Sequence, residues 1–378
     1  MVLIGSLVLI LTVTTINAQF QCSDRNANCV SILNCPEMLS ILRGPKPFSA
    51  QTLETLKNAQ CGSEGRYPKV CCNQQQVDKE MTIRETSENT PNPPDVTNHP
   101  NLRLLDHQAC GPITRPKVVN GNKTAIFEYP WMALITYQRT GKPNPEYLCG
   151  GSIISSRYIL TAAHCVTLLP SDVRLIGVRI GEHDISKERD CETDLNGREV
   201  VCAERYQDLD VDSFYFHPGY TKTKQQNDIA LIRVNVTMSF TPQNVKPICL
   251  PFGSAINLTK KKAVVTGWGL TEYDLTSSEL LQAKLPIVPN DRCEEIYKPS
   301  KEIWYKQLCA GGQMAVDSCN GDSGGPLQAS SKYNNLIMRI VQYGIVSYGM
   351  TPCGIEGIPG VYTNVAYYMD WILNTMTD

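Results

Sequence analysis

The chain has no surplus of charge and no apolar segment long enough to span a bilayer. Its 378 residues include 35 Lys and Arg and 37 Asp and Glu, so the formal net charge is −2. This balance argues against a nucleic-acid-binding protein with a broad basic surface and against an acidic disordered protein. The longest apolar run, residues 2–16, is shorter than the ~20 residues of a membrane-spanning helix. We therefore expect no nucleic acid and no membrane among its partners.

The same apolar run has the length of the hydrophobic core of a secretory signal peptide, although no Lys or Arg precedes it. Asn17-Ala18 places a small residue before Gln19, where a signal peptidase would cut. We predict a signal peptide over residues 1–18 and a secreted, extracellular protein. A membrane anchor is the alternative, and the shortness of the run disfavours it.

Cysteine is abundant, yet no Cys-x-x-Cys pair occurs among the 16. An even and high count predicts disulfides and an oxidising compartment, and the missing paired spacing disfavours the alternative of a zinc site. Six cysteines near the N-terminus predict a small module that depends on its disulfides, and spacing alone leaves 15 pairings open. They are Cys22, Cys29, Cys35, Cys61, Cys71 and Cys72.

The rest of the chain divides by composition. Residues 73–109 have no cysteine, are rich in Gln, Asn, Thr and Pro, and lack apolar periodicity, which predicts a linker. From residue 118 onward, many short β-rich runs between Gly and Pro predict an all-β sandwich or a pair of barrels. Helical spacing from Val365 to Met376 predicts a C-terminal helix. The runs are 131–137, 150–155, 158–163, 173–180, 228–234, 263–269, 338–349 and 360–365.

Three segments carry residues suited to catalysis. His164 follows a predicted strand, Asp228 precedes an apolar strand, and Ser323 lies in the glycine-rich turn 321–326. A serine hydroxyl becomes an effective nucleophile when a neutral imidazole takes its proton, and a carboxylate fixes the tautomer of that imidazole. The order His, Asp, Ser along the chain matches one known solution to this problem.

With these motifs, residues 118–378 resemble the trypsin-like serine proteases. The resemblance implies two six-stranded antiparallel β-barrels with a C-terminal helix, the chymotrypsin fold. It also implies that His164 is the general base, that Asp228 orients it, and that Ser323 is the nucleophile. The backbone N–H groups of Gly321 and Ser323 would form the oxyanion hole.

The same resemblance implies the specificity of the enzyme. Asp317 would lie at the floor of the substrate pocket and select Arg or Lys before the scissile bond. Ser318, Ser347, Gly349 and Gly360 would line this pocket. Tyr348 stands where many relatives carry Trp, which is expected to alter neighbouring subsites.

The segment Lys117-Val118-Val119-Asn120-Gly121 resembles a zymogen activation site. Cleavage after Lys117 would free the Val118 amine to pair with Asp322 and order the pocket and the oxyanion hole. An upstream trypsin-like protease would make this cut. An ordinary linker at this position is the alternative.

Six cysteines that end in adjacent Cys71-Cys72, followed by a protease domain, resemble a clip domain over residues 19–72, with residues 73–117 as linker and activation segment. Another small disulfide module is the alternative. The whole chain is then similar to the clip-domain serine proteases of arthropod haemolymph, which include prophenoloxidase-activating, easter-like and Toll-ligand-processing enzymes. The resemblance implies the pairs Cys22–Cys71, Cys29–Cys61, Cys35–Cys72, Cys110–Cys249, Cys149–Cys165, Cys191–Cys202, Cys293–Cys309 and Cys319–Cys353.

An acidic loop over residues 182–194 has six acidic and two basic residues. Calcium favours several hard oxygens in one loop, and relatives bind calcium in the corresponding loop. We expect a structural calcium held by Glu182, Asp184, the Lys187 carbonyl and Asp190, with a solvated acidic loop as the alternative. No catalytic cofactor is expected. Asn122, Asn235 and Asn257 begin glycosylation sequons.

The resulting hypothesis is a secreted zymogen that acts in a haemolymph cascade of innate immunity. Its substrate would be prophenoloxidase, a Toll-ligand precursor or a downstream protease zymogen, and its inhibitor a serpin. One rival is a non-catalytic protease homologue that serves as a cascade cofactor, which the presence of Ser323 disfavours. A digestive trypsin is the other rival, and the clip-like module disfavours it.

Overall fold

The structure is a computed structural model that describes residues 22, 27–32, 35, 38, 41–42, 49–64, 67–73, 90–113, 123–194, 196–269, 276–298, 301–313, 321–334, 337–350 and 353–378. The chain divides into two compact units, Met1–Glu88 and Asn89–Asp378. The predicted signal peptide lies outside the described residues.

The first unit contains a three-stranded antiparallel sheet in the order β1-β3-β2. Its strands are β1 (Ala27–Ser31), β2 (Gln60–Glu64) and β3 (Tyr67–Asn73), and helix α1 (Ala50–Ala59) precedes β2. Ser49 caps α1 by accepting the Thr52 backbone N–H over 3.1 Å.

The apolar core of this unit is small, and half-cystines belong to it. Cys35 and Cys72 are buried beside Ile32, Met38 and Val70. A core of this size contributes little stability, so the disulfides carry much of it. The three bonds present are Cys22–Cys71, Cys29–Cys61 and Cys35–Cys72, the pairs that the resemblance implies.

The second unit is built on two closed six-stranded antiparallel barrels, as the resemblance predicts. The first has the strand order β10-β11-β6-β5-β4-β7 and the second β12-β13-β14-β17-β16-β15, and a hairpin of β8 and β9 lies outside both. The strands up to the end of the first barrel are β4 (Met132–Arg139), β5 (Glu146–Ile153), β6 (Tyr158–Thr161), β7 (Val173–Ile180), β8 (Cys191–Thr193), β9 (Glu199–Cys202), β10 (Gln207–Phe216) and β11 (Ala230–Val234). Those of the second are β12 (Lys262–Gly267), β13 (Leu281–Val288), β14 (Gln307–Gly311), β15 (Pro326–Tyr333), β16 (Ile337–Tyr348) and β17 (Pro359–Asn364).

Helix α2 (Asn290–Tyr297) connects β13 to β14, and helix α3 (Met369–Thr375) follows a 3₁₀ turn over Val365–Tyr368. The buried Met369, Ile372 and Leu373 pack α3 into the core, which confirms the predicted C-terminal helix. Among the described residues, none of the helices has the length and hydrophobicity to cross a membrane.

Buried polar side chains join the two barrels. Ser152 of β5 donates to Gln342 of β16 over 2.5 Å, and Trp131 Nε1 donates to Gln328 of β15 over 2.7 Å. Because buried polar groups without partners are costly, these bonds favour one mutual arrangement of the barrels. The seam between them is therefore a defined place for a site built from both.

Residues 90–113, predicted as part of a linker, lie instead on the second unit. Val96, Leu105 and Cys110 are buried in its core. The Asn101 amide donates to the carbonyls of Leu373 and Met376 over 2.9 and 3.1 Å. The linker prediction is wrong for this segment. A few anchoring side chains hold an irregular chain with one 3₁₀ helix, Pro100–Leu104, so the sequence shows no periodicity that would predict the contact. We call residues 90–113 the strap.

Candidate active site

The pairing of β6 with β11 brings a histidine and an aspartate together. β6 ends at Thr161, and a 3₁₀ turn over Ala163–Cys165 carries His164 just beyond it. Asp228 lies just before β11, whose Ala230 is paired with Thr161. His164 donates its backbone N–H to Asp228 Oδ1 over 3.0 Å, and its Nδ1 lies 2.8 Å from Asp228 Oδ2.

The aspartate is fully buried, so its charge depends on the donors that surround it. Besides His164, Ser347 Oγ donates to Asp228 Oδ2 over 2.5 Å. Burial opposes protonation of the His164 ring, but the charge and the hydrogen bond of Asp228 outweigh it and raise the pKa of His164. Because a carboxylate only accepts, Nδ1 carries the proton of the neutral ring and Nε2 is the basic nitrogen. The His164 side chain remains 27% exposed, so it is accessible to a substrate.

The turn that carries Ser323 is held against the same strand ends. The Gly150 N–H donates to the Ser323 carbonyl over 2.8 Å. Gly324 has a φ of +79°, and a Cβ there would lie 2.6 Å from the Gly150 carbonyl oxygen and 3.2 Å from Ala162 N. Only glycine therefore allows the turn to approach the strand end that leads to His164. The Ser323 turn therefore lies against Thr161 and Ala162, the residues that lead to His164.

The Asp322 side chain packs against two glycines, Gly267 and Gly269. Its Oδ1 accepts the Gly269 N–H over 2.9 Å. A Cβ at Gly269 would lie 2.6 Å from both carboxylate oxygens, and one at Gly267 would also overlap the Asp322 side chain. The carboxylate is therefore closely enclosed beside the end of β12. Its predicted partner Val118 lies outside the described residues, as does Lys117.

The predicted substrate pocket is only partly within the described residues, which omit Asp317 and Ser318. Gly360 is buried in β17 opposite Ala310, whereas Gly349 is exposed with open space above it. Ser347 was predicted to line the pocket, and its contact with Asp228 was missed. That contact joins positions 119 residues apart in the sequence, and no local motif predicts it.

The predicted calcium loop contains two acids that suit a cation. Glu182 and Asp190 are buried, and both accept the His183 backbone N–H, over 2.9 and 3.1 Å. Burial raises the pKa of Glu182 to about 6 and also raises the pKa of Asp190. Asp190 Oδ1 is buried without a hydrogen-bond partner. An orphaned carboxylate oxygen beside a second acid fits a hard cation such as calcium.

Asp184 fits this role less well than Asp190. Its Oδ2 forms an ion pair with Lys187 Nζ at 2.7 Å, and its Oδ1 accepts from Ser186 over 2.6 Å. These contacts outweigh the effect of burial and lower the pKa of Asp184 to about 2. Both of its oxygens already have partners in the structure, and so do those of Glu182, because Glu182 Oε2 accepts from Arg179 Nη1 over 3.2 Å.

Disulfides reinforce the surroundings of the site. Cys149–Cys165 ties β5 to the turn that carries His164, and Cys110–Cys249 ties the strap to the barrels. Cys191–Cys202 closes the β8–β9 hairpin, and Cys293–Cys309 joins α2 to β14. Cys353 is disulfide-bonded, and its expected partner Cys319 lies outside the described residues. The four pairs seen here are ones that the resemblance implies, and the pair Cys319–Cys353 stays a prediction.

The glycosylation sequons occupy accessible positions where the structure describes them. Asn235 and Asn257 are exposed, while Asn122 lies outside the described residues.

Comparison with known proteins finds a family match for the N-terminal module and another for the barrel unit. The family profile named Trypsin matches residues 118–372, and the profile "Regulatory CLIP domain of proteinases" matches residues 21–72. Melanization protease 1 of Drosophila melanogaster is 37% identical over 93% of this chain and 91% of its own length. Phenoloxidase-activating enzyme 1 of Spodoptera litura is 39% identical over 93% of this chain and 91% of its own length. Among solved structures, the Drosophila Grass clip serine protease of the Toll pathway matches with a TM-score of 0.63 and 34% identity, over 93% of this chain and 94% of that one.

Proposed function

The chain belongs to the clip-domain serine proteases of the trypsin family, and from this membership we propose that it is a secreted zymogen that, once cut, cleaves proteins after Arg or Lys in an immune cascade. The observation that carries the proposal is the hydrogen-bonded pair of His164 and Asp228, with the Ser323 turn held against Gly150 and against the strand end that leads to His164.

The geometry supports a specific division of roles in catalysis. Ser323 Oγ attacks the scissile carbonyl while His164 Nε2 takes its proton and passes it to the leaving amine, forming an acyl-enzyme. Water then attacks the acyl carbon while His164 Nε2 takes a proton from the water and returns it to Ser323 Oγ, which leaves as the ester bond breaks. Asp228 remains ionised and stabilises the imidazolium, and Ser347 holds Asp228 by their 2.5 Å hydrogen bond. The N–H groups of Gly321 and Ser323 would stabilise the oxyanion.

The proposed specificity depends on Asp317. A carboxylate at the floor of an enclosed pocket favours a substrate guanidinium or ammonium, because an unpaired buried charge is costly. Ser318, Gly349 and Gly360 would complete the walls of this pocket.

Activation is proposed to begin with cleavage after Lys117. The new Val118 ammonium would pair with Asp322 and draw its carboxylate to the position that orders the Ser323 turn. The strap and the clip domain would stay attached, because Cys110–Cys249 bridges the two sides of the cut.

The place in a cascade is proposed from the relatives. A melanization protease, a phenoloxidase-activating enzyme and a clip serine protease of the Toll pathway are all similar along nearly the whole chain. We propose prophenoloxidase, a Toll-ligand precursor or a downstream zymogen as substrate, a trypsin-like protease as activator and a serpin as inhibitor. We also propose haemolymph as the location and a structural calcium on Glu182 and Asp190.

Two variants test the proposed function together. Ser323→Ala is expected to fold and to be secreted but to lose nearly all hydrolysis of Arg-amides after activation. Lys117→Gln is expected to be stable, inactive and resistant to a trypsin-like activator. After activation, the wild type should show one band without reductant and two with reductant, and the heavy chain should begin at Val118. Retention of more than about a hundredth of the activity by Ser323→Ala would contradict the assigned nucleophile.

A further inference from the structure

A lysine ammonium lies over the face of the aromatic ring that ends β16. Lys301 Nζ is 4.1 Å from the centroid of the Tyr348 ring. The Lys301 backbone N–H donates to the carbonyl of Tyr297 over 2.8 Å, and the Tyr297 ring supports Tyr348 from its edge, with centroids 5.9 Å apart. Tyr297 is 2% exposed. The ammonium thus lies over a partly buried ring that is itself supported by the buried Tyr297.

Tyr348 adjoins the catalytic pair. The preceding residue, Ser347, contacts Asp228, and the following residue, Gly349, belongs to the predicted substrate pocket. Asp228 is close enough for its charge to act on Lys301. A substrate with its Arg or Lys in the pocket beside Gly349 would therefore lead its preceding residues past Tyr348 and the ammonium above it.

The ammonium has unused capacity for an anion. Within the part of the chain that the structure describes, no carboxylate lies within ion-pair distance of Lys301 Nζ, whereas Lys187 is paired with Asp184. The side chain is half-buried, and burial lowers the pKa of Lys301. An ammonium that has lost part of its hydration gains from an incoming carboxylate and repels a second cation.

We propose that Lys301 is a specificity-determining residue, which selects substrates with an acidic side chain among the residues just before the cleaved Arg or Lys. Resting on the proposed function, this inference names the class of sequence that the enzyme prefers. Lysine or arginine at the same substrate position is disfavoured, because it would meet the Lys301 ammonium.

The test compares peptide amides that differ in one residue. The full chain is activated with an immobilised lysine-specific protease, and kcat/KM is measured on three peptides that end in Arg-aminomethylcoumarin. They carry Glu, Gln or Lys at the third residue before the cleaved bond, and further sets move this residue to the second and fourth positions. At one of these positions, wild type should prefer Glu over Gln by about three- to fivefold, the upper part of the range for a partly exposed ion pair. Raising the salt concentration should weaken the preference.

Two variants of Lys301 and one control test whether the preference for Glu depends on this lysine. Lys301→Met keeps the aliphatic stem, and it should bring the Glu-to-Gln ratio of kcat/KM to about one. Lys301→Glu should invert the order, so that the Lys peptide becomes the best. The matched control is Lys306→Met, because Lys306 also lies over aromatic rings, those of Trp304 and Tyr368 at 5.3 and 5.2 Å, but not over Tyr348. Its ratios should equal those of wild type.

Each outcome decides between the two proposals. Equal Glu-to-Gln ratios in wild type and Lys301→Met at all three positions would overturn the inference while leaving the proposed function intact. If activated wild type cleaves no Arg peptide, the proposed function fails and this inference fails with it. Should both Lys301 variants misfold, the salt dependence of the wild-type preference still decides, since a preference that salt leaves unchanged does not arise from an ammonium.

Discussion

The attachment of the strap to the C-terminal helix can be tested at a single side chain. The Asn101 amide donates to the carbonyl oxygens of Leu373 and Met376, two acceptors at the end of α3 that have no partner within the helix. Asn101→Ala removes both donors at once and leaves these part-buried carbonyls to find water. The change is small in volume, so the lost hydrogen bonds dominate its effect.

The magnitude follows from the number of bonds. A net hydrogen bond contributes about 1 kcal/mol, so the variant should lose about 2 kcal/mol of unfolding free energy. An unfolding entropy of about 2.1 cal/mol/K per residue, taken over the unit Asn89–Asp378, converts this loss into a fall in Tm of about 3 °C.

Tryptophan fluorescence offers a selective measurement. The four tryptophans are Trp131, Trp268, Trp304 and Trp371, and all belong to the second unit. A melt of the full chain at one fixed scan rate therefore reports the unit to which the strap is attached. Asn98→Ala is the matched control, because Asn98 is an exposed residue of the same strap. A Tm of Asn101→Ala within 1 °C of wild type, or an equal fall in the control, would refute the assigned contact.

Three further predictions concern the site. The acidic limb of the kcat/KM profile should lie above the ordinary histidine value of 6.5, because His164 must be neutral to act and Asp228 raises its pKa; Asp228→Asn should move the limb to lower pH and reduce activity by about 10⁴, the loss known for this triad. Asp317→Ser should reduce turnover of Arg-amides by roughly 30- to several thousand-fold, since a lost buried charge partner costs about 2–5 kcal/mol, and undiminished cleavage would contradict the pocket. Calcium should raise the Tm of wild type but not of Asp190→Asn, and equal shifts would exclude the proposed ligand.

Local motifs allowed much of the site to be predicted. Each of the three catalytic candidates lies in a short local motif, and the motifs follow one another in the order His164, Asp228, Ser323. The predicted strands around them have clear apolar patterns. β7 was predicted with its bounds, because its residues Val173–Ile180 are β-branched and apolar with few interruptions. The disulfide pairs, by contrast, came only from the resemblance to a family, because spacing alone does not select them.

The elements that the sequence did not predict depend on distant partners. β10 alternates acidic residues with apolar ones and is largely exposed, so it lacks the apolar run of a buried strand. The strap is held by single side chains that contact residues more than 200 positions away. Ser347 contacts Asp228, and Lys301 lies over Tyr348, contacts that only the folded chain creates.

The bond between Cys110 and Cys249 changes how the activated enzyme would respond to dilution. After a cut at Lys117, the piece that bears the clip domain would be a separate polypeptide, and a non-covalent piece leaves its partner when both become scarce. The disulfide makes the contact of the strap with the barrels intramolecular, so its occupancy is set by an effective concentration and not by the total concentration of the enzyme. Even a highly diluted activated enzyme would therefore keep its clip domain, in a fixed ratio of one to one.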